Sequence, residues 1–360
     1  MHEWMMMLAL NLARRGQGFT SPNPMVGAVL ARGNKVFGVG YHRVFGGPHA
    51  EIEALKQAGR SARGADLYVT MEPCCFCGKT GACTDALIRA GVKRVFAATL
   101  DPHPKVRGRG IRCLRRAGIR THVGMLSDDA RKLNEAYFCF HNQHRPFVVL
   151  KLGLSLDGMV ATRRGESKWI TGLKARQHNQ KLRQVSDAVL VGVNTVLLDN
   201  PRLDCQLRRR KPILKVVLDT ELHVPAGSRF IRTNGQALIL TGSQSARRRK
   251  ALERVGVEVA TVRRTEDGFL MWDDVLNELY RRDVMSVLIE GGATVAASAL
   301  DANIVDKVYA FHAPKILGAG RSLGMKMRPR SLKQVLTLKP VWHECYGEDV
   351  LTVGYLKKPG

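Results

Sequence analysis

His49-Ala50-Glu51, read together with Pro73-Cys74 and Cys83, is the stretch from which the rest of the chain can be organised. It holds one imidazole, two thiols and a carboxylate two residues after the His. Zn²⁺ takes neutral imidazole and thiolate ligands, and a catalytic site keeps three protein ligands and leaves the fourth position to water. His49, Cys74 and Cys83 supply the three. Glu51 falls on the following helical turn and is free to move protons. Such a donor set activates water for attack on a ring carbon bearing an amino group, with the carboxylate carrying the protons. A lone His is usually a packed or surface residue; this ordered set is not.

The sequence also offers a rival third ligand. Pro73-Cys74-Cys75-Phe76-Cys77 contains the spacing Pro-Cys-x-x-Cys. Cys83 stands at the mouth of a short amphipathic helix beginning Thr84-Asp85-Ala86-Leu87-Ile88, where dipole and free N–H groups stabilise a thiolate. Cys77 is followed by Gly78-Lys79-Thr80-Gly81, which reads as loop. Helix position favours Cys83, and the geometry of the closed site is the arbiter.

A chain of 360 residues exceeds what one core usually serves, so two domains are expected. No apolar run approaches a membrane span. The apolar stretch Met5 to Leu8 precedes Arg14-Arg15, the reverse of a signal peptide's order. Eight cysteines, three of them between 74 and 77, suit a reducing cytoplasm and a metal better than a disulfide framework. The net charge of +26 is spread along the chain, +12 in residues 1–145 and +14 in the remainder. It raises the prospect of a nucleic-acid or acidic-metabolite partner. Base stacking on single strands needs interleaved aromatics, however, and aromatic content is only 6%. Most of the charge is therefore read as solvated surface, with a few Arg and Lys kept for phosphates.

Helical spacing over residues 3–15 puts Trp4, Leu8 and Leu12 on one side, ending at Gly16. A hairpin is expected around Gly33-Asn34, a helix from His49 to about Ala58, and a strand from Asp66 to Met71 that delivers Cys74. Further strands are expected over Val92 to Thr99 and Ile119 to Val123, with helices over Gly110 to Ala117 and Asp128 to His141. His141 to Pro146 reads as a linker, dividing the chain into domains at 1–145 and 146–360. Beyond it, strands are expected near 147–152, 188–191, 214–218, 237–241, 287–289 and 307–312. Helices are expected at 172–184, 243–255, 273–282 and 292–301. Alternation of this kind predicts a layered α/β fold in both halves.

Further residues carry a resemblance. Thr70-Met71-Glu72-Pro73-Cys74 and Cys83-Thr84-Asp85-Ala86-Leu87-Ile88 resemble the bifunctional riboflavin-biosynthesis deaminase/reductase family. Lys151-Leu152-Gly153, Ser155-Leu156-Asp157-Gly158, Gly165 to Gly172, Val191 to Thr195, Asp199 to Leu203 and Glu290-Gly291-Gly292-Ala293-Thr294 are similar to that family's second half. The resemblance implies an N-terminal cytidine-deaminase-like α/β/α domain followed by a dihydrofolate-reductase-like α/β domain. It implies Zn²⁺ and NADPH as cofactors and a phosphorylated pyrimidine as substrate. The 2-amino group of a diaminopyrimidinone ribosylamino phosphate would be removed, and the ribosyl group then reduced to ribityl. Asn23, His42, Lys79 and Asp101 would line the deaminase pocket. Gly153, Trp169, Thr195 and Asp199 would contact NADPH, and Ser167, Arg183, Leu203 and Glu290 the substrate. Lys151, Asp199 and Glu290 join Glu51 as candidate catalytic residues.

Two turns could hold cofactor phosphates. Glu290-Gly291-Gly292 lets backbone N–H groups approach a phosphate at a helix start, with Gly292 at the turn. Ser243, after the strand Ala237 to Thr241, could read a 2′-phosphate with Arg247 adding charge. The expected location is cytoplasmic and a homo-oligomer is compatible; no membrane or nucleic-acid partner is expected. Four positions depart from the family pattern. Cys75-Phe76-Cys77 replaces Ser-His-His, Gly81-Ala82 replaces Pro-Pro, His103 stands where Asn is usual, and Gln206 falls near an expected phosphate-binding Arg. Two rival functions remain: an RNA-directed zinc deaminase with a basic accessory domain, and a reductase whose deaminase domain is impaired.

Overall fold

The structure, a computed structural model, describes residues 1–76, 81–209, 211–326 and 331–357. The chain divides into two compact units, Met1–His144 and the residues from Arg145 onward. The first contains α1 (His2–Arg14), β1 (Gly27–Arg32), β2 (Lys35–Tyr41), α2 (Ala50–Ala58), β3 (Asp66–Val69), α3 (Cys83–Ala90), β4 (Arg94–Ala97), α4 (Arg109–Arg116), β5 (Arg120–Val123), α5 (Ser127–Leu133) and α6 (Glu135–Gln143). Its sheet runs β2-β1-β3-β4-β5. β1 is antiparallel to both neighbours, and β3, β4 and β5 are parallel. One hydrophobic cluster lies on each face, so the unit is an α/β/α sandwich.

Close approach sets its geometry. Strand alternation puts Gly38 and Gly40 of β2 on one face. A Cβ on Gly40 would lie 2.2 Å from the Ala50 carbonyl oxygen, and one on Gly38 would lie 2.2 Å from that of Ala54. Helix α2 therefore rests backbone to backbone on β2, with Ala50, Ala54 and Ala58 buried between them. Its N-terminus carries His49 and Glu51. On the other face, a Cβ on Gly27 would lie 2.0 Å from the Ala9 carbonyl oxygen. The Trp4, Leu8 and Leu12 stripe is consequently not the buried face of α1. Met5, Met6, Ala9, Leu10 and Ala13 are buried, and Trp4 is 58% exposed. Small Ala side chains win the inward positions because the helix sits so near the strand.

The expected single helix 128–141 is broken into α5 and α6 at Asn134. Its buried side chain accepts from Met25 N–H at 2.8 Å and donates to the Met25 carbonyl at 3.0 Å. A side chain pairing with distant backbone in this way competes with helix continuation.

The second unit contains β6 (Phe147–Ser155), α7 (Leu173–Val185), β7 (Ala188–Gly192), α8 (Val193–Asp199), β8 (Leu214–Leu218), α9 (Arg229–Arg232), β9 (Ala237–Thr241), α10 (Ala246–Glu253), β10 (Val257–Thr261), α11 (Trp272–Arg281), β11 (Ser286–Gly291), α12 (Ala293–Asp301), β12 (Lys307–Ala313), β13 (Val341–Tyr346) and β14 (Asp349–Tyr355). Nine strands form one sheet in the order β10-β9-β8-β7-β11-β6-β12-β14-β13. All neighbours are parallel except the pairs that β14 makes with β12 and β13. Buried clusters cover both faces. Strands β10, β13 and β14 and helices α8 and α9 were not expected from the sequence. β13 is an edge strand with mostly exposed side chains, so it lacks the apolar run that marks a central strand.

Gly40→Ala should destabilise the first unit by about 1–3 kcal/mol, the usual cost of overpacking. A lower thermal transition and loss of bound zinc on dialysis would accompany it. Gly81→Ala, whose Cβ meets nothing within 4 Å, should change neither.

Candidate active sites

His49 is the residue before α2, Cys74 lies in the segment that follows β3, and Cys83 is the first residue of α3. His49 Nδ1 lies 3.2 Å from Cys83 Sγ and 3.5 Å from Cys74 Sγ. The Cys83 backbone N–H donates to Cys74 Sγ at 3.4 Å. The three donor atoms lie within 4.8 Å of one another. Two soft thiols and an imidazole converging at a helix start suit Zn²⁺. Cys74 is the more acidic thiol, lowered to about 4 by its hydrogen bond with Cys83 first and with His49 next. Cys83 is pushed up by that same bond and by burial. Cys77 and Lys79 lie outside the described residues.

A carboxylate missed in the sequence reading holds the Cys74 segment. Glu72, 4% exposed, accepts from the backbone N–H groups of Asp101 (3.2 Å), Gly108 (2.8 Å) and Ile111 (3.0 Å). The last two belong to the start of α4. Each charge-assisted bond of this kind contributes roughly 1.5–3 kcal/mol. Helix α4 also presses on this segment: a Cβ on Gly110 would lie 2.0 Å from the Pro73 carbonyl oxygen. The signal available in the sequence was only a Glu beside Pro-Cys.

The donors face a cavity of about 220 Å³ lined by Asn23, His42, His49, Glu51, Cys74, Phe76, Asp101, His103 and Tyr137, among others. Glu51 is 3% exposed, and burial raises its carboxyl to about 7. His42 Nδ1–H donates to the Pro48 carbonyl at 3.0 Å, which leaves Nε2 as an acceptor. The Asn23 amide N–H therefore donates to it at 3.2 Å, and its carbonyl oxygen is turned the other way. Burial holds the His42 pKa below its ordinary value. Asp101 accepts from the His103 N–H at 2.8 Å and from the Tyr137 hydroxyl at 3.0 Å, and burial raises it to about 6. Phe76 stacks on His103 with ring centroids 6.2 Å apart, so two positions that depart from the family pattern meet in one wall.

In the second unit, Arg183 on α7 clamps Glu290 at the end of β11. Arg183 Nε and Nη2 donate to the two carboxylate oxygens at 2.5 and 2.6 Å. Asn179, one turn earlier, donates to Glu290 Oε2 at 2.9 Å, and its own Oδ1 is buried without a hydrogen-bond partner. The pair is largely removed from water: 11% of the Arg183 side chain and 8% of the Glu290 side chain are exposed. Burial pushes the Glu290 carboxyl up, but Arg183, Asn179 and Lys151 together hold it below its ordinary value. Burial pushes Lys151 down, opposed by Glu290. Gly153 leaves room beside it; a Cβ there would lie 3.5 Å from Lys151 Nζ.

A second cavity, about 190 Å³, opens at the carboxyl ends of β7, β8 and β11. Ligands of open α/β sheets bind in such crevices. Gly192, Asn194, Thr220, Trp272 and Gly292 are among its walls. Gly292 has φ +84°, which glycine alone adopts freely, and precedes α12. Thr195 sits against it: a Cβ on Gly292 would meet Thr195 Oγ1 at 3.3 Å. This cradle fits a phosphorylated cofactor such as NADPH, which needs close backbone approach at a helix start.

The remaining candidates are scattered. Asp199 pairs with Lys168 at 3.2 Å, and Trp169 is exposed with the Arg176 guanidinium 4.4 Å from its ring centroid. Ser167 is half-buried nearby. Leu203 is 2% exposed within an apolar cluster, with φ +58°. Ser243 is not among the cavity's lining residues. It is buried, its hydroxyl accepts from Ser245 N–H at 3.3 Å, and Ser245 itself caps α10. That bond uses one acceptor site of the Ser243 hydroxyl and leaves its O–H as a donor.

Comparison with known proteins agrees with this anatomy. Residues 1–99 match the cytidine and deoxycytidylate deaminase zinc-binding region, and residues 146–352 match the RibD C-terminal domain. Riboflavin biosynthesis protein RibD of Aquifex aeolicus is 42% identical over 96% of each chain. That of Escherichia coli is 37% identical over 88% of this chain and 89% of its own. The crystal structure of a diaminohydroxyphosphoribosylaminopyrimidine deaminase/5-amino-6-(5-phosphoribosylamino)uracil reductase from Thermotoga maritima superposes with a TM-score of 0.86 at 36% identity, covering 98% of each chain. RibD of Acinetobacter baumannii superposes with a TM-score of 0.88 at 32% identity over the same share. Fold and sites define a zinc deaminase of the cytidine-deaminase class joined to a reductase with a dihydrofolate-reductase-like fold. The chain belongs to the RibD family, bifunctional deaminase/reductases of riboflavin biosynthesis that use zinc and NADPH.

Metal analysis should find one Zn²⁺ per chain, lost in Cys83→Ser and His49→Ala and retained in Cys77→Ser. In the second unit, Arg183→Ala should cost about 3–5 kcal/mol at neutral pH, because it strands a buried charge. The native Glu290 pKa is depressed, so its contribution is present above the unfolded carboxyl value and lost as pH falls through the native one. In Arg183→Ala burial dominates and raises that pKa, so the deficit measured by denaturant titration should shrink toward pH 4.

Proposed function

We propose that residues 1–145 deaminate a diaminopyrimidinone ribosylamino phosphate and that residues 146–360 then reduce its ribosyl group to ribityl. The observation that carries the first step is the buried Glu51 beside three converging metal donors. Zinc, when bound by His49, Cys74 and Cys83, supplies the Lewis acidity that makes water a nucleophile at neutral pH. Glu51, with a pKa of about 7, can take a proton from that water and return it to the departing amine. It needs no ligand role, since the other three complete the set. The carbonyl oxygen of Asn23, fixed by its bond to neutral His42, can accept from a pyrimidine N–H. Asp101 and Tyr137 close the wall opposite, and Lys79 would meet the phosphate.

NADPH supplies the hydride of the second step. Its phosphates would lie along Gly292 and the start of α12, with Thr195 beside them and Gly153, Trp169 and Asp199 toward the nicotinamide. The chain's own part is to hold the ribosyl group and deliver a proton. Lys151 is placed to give one to the sugar oxygen that becomes a hydroxyl. Glu290, kept ionised by Arg183, can accept from a sugar hydroxyl, and the unpaired Asn179 Oδ1 is a second acceptor. Ser167 and the Leu203 backbone would complete the substrate's surroundings. A cytoplasmic location agrees with the free thiols of the described cysteines.

Phe76 favours one alternative, a reductase with an impaired deaminase, because it puts an aromatic ring at the cavity wall where the family has a polar side chain. Single-turnover conversion with and without NADPH separates the two. With the wild type, deaminated product should accumulate without NADPH and be reduced on its addition. Glu51→Gln should keep its zinc, lose deamination by about 10²-fold or more, and reduce the supplied deaminated intermediate at the wild-type rate. Joint loss of both activities would defeat the assignment of two separate sites.

A further inference from the structure

Strand pairing draws a residue from near the end of the chain into the Lys151 site. β12 pairs with β6, aligning Tyr309 with Lys151 and Phe311 with Gly153. β14 pairs with β12 on the other side, aligning Phe311 with Leu351 and Tyr309 with Val353. Side chains two apart on a strand share a face. Lys151, Gly153, Phe311 and Leu351 therefore share one face, and Asp349, two residues before Leu351, joins them. Helix α7 packs on this face through Ala175, which clusters with Phe311 and Leu351.

Asp349 is 3% exposed. Its Oδ2 accepts from the Gly172 N–H at 2.7 Å. Gly172 is the residue that caps α7, and a Cβ there would lie 3.3 Å from the same oxygen, so only glycine fits comfortably. Thr171, next to it, packs against Gly153 within 3.4 Å of a Cβ position that is 3.5 Å from Lys151 Nζ. A single carboxylate thus touches the start of the helix that delivers Asn179 and Arg183, and lies among the neighbours of Lys151.

We propose that Asp349 is a positioning residue of the reductase: it fixes the start of α7 through Gly172 and adds, with Glu290, negative charge on the face of the sheet that carries Lys151. The inference rests on the reading of Lys151 as the proton donor of the reduction. Lys151 is surrounded by Glu290 from β11, Arg183 from α7 and Asp349 from β14; the carboxylates favour its charged form and the guanidinium opposes it. Arg183 offsets part of the Glu290 charge, and Asp349 adds a further, smaller negative one. Glu290 stood in a sequence motif and Arg183 was implied by the family resemblance; Asp349 was neither, because it lies in a hairpin whose strands carry no such motif.

The test uses the full-length enzyme with zinc, NADPH and the deaminated intermediate. Asp349→Asn keeps an oxygen for Gly172 and removes the charge; Asp349→Glu restores the charge with a longer arm. The Asn variant should fold with the wild-type thermal transition and keep its deaminase rate. Its reduction kcat should fall tenfold or more at pH 8 while KM for NADPH stays within twofold. The alkaline limb of its kcat profile should move to lower pH, so that activity recovers toward the wild-type value as pH falls. Asp349→Glu should move that limb back. A purely structural role would lower kcat equally at every pH, and that result, or a kcat within twofold of wild type throughout, would overturn the inference. Lys151→Met is the separate check on the underlying reading: full reductase activity in that variant would remove Lys151 from the chemistry and the inference with it. Loss of activity there with an unaffected Asp349→Asn would reject Asp349 alone.

Discussion

The deaminase site depends on helices lying closer to strands than any side chain allows. Gly38 and Gly40 let α2 rest on β2, and Gly110 lets α4 rest on the segment carrying Cys74. A metal site with donor atoms within 4.8 Å of one another tolerates little drift. Backbone contact gives that precision cheaply, because it has no rotamers to average over. Glu72 then ties the same segment to α4 with three hydrogen bonds. Ligand placement is thus decided by residues that never touch the metal.

The second unit solves a different problem, that of keeping charges buried without neutralising them. Glu290 is held ionised by a two-pronged contact with Arg183 and a third bond from Asn179. Removing charges from water is costly unless geometry and hydrogen bonding are both satisfied. The arrangement meets that condition at Glu290, and Lys151 lies beside it, next to Gly153.

Much of this was legible in the sequence. The order of His49, Glu51, Cys74 and Cys83 announced the metal site, because ligand chemistry restricts residue type at each place. The alternation of strands and helices came through wherever apolar runs were long, as in β7, β9 and β11. Legibility failed where a contact made far away decided the outcome. Asn134 breaks a helix through backbone at Met25, more than a hundred residues distant. Ala9 and Ala13 displaced Trp4 from the core because Gly27 draws the helix in. Strand β13 is mostly exposed and β14 alternates buried and less buried positions over its first half, so neither carries the apolar run of a central strand.

Among the described residues, Phe76 and His103 are separated in the chain by α3 and β4, yet they stack in the wall of one cavity. Each differs from the residue usual in the family, and neither can be judged without the other. An imidazole offers the Phe76 ring an aromatic face to stack on, which an amide does not. Inheritance should then treat the two positions as a single unit: a lineage, or an engineer, exchanging one alone passes through a mismatched intermediate. Ancestral reconstructions that vary these sites independently would misjudge the order in which this pocket was reached.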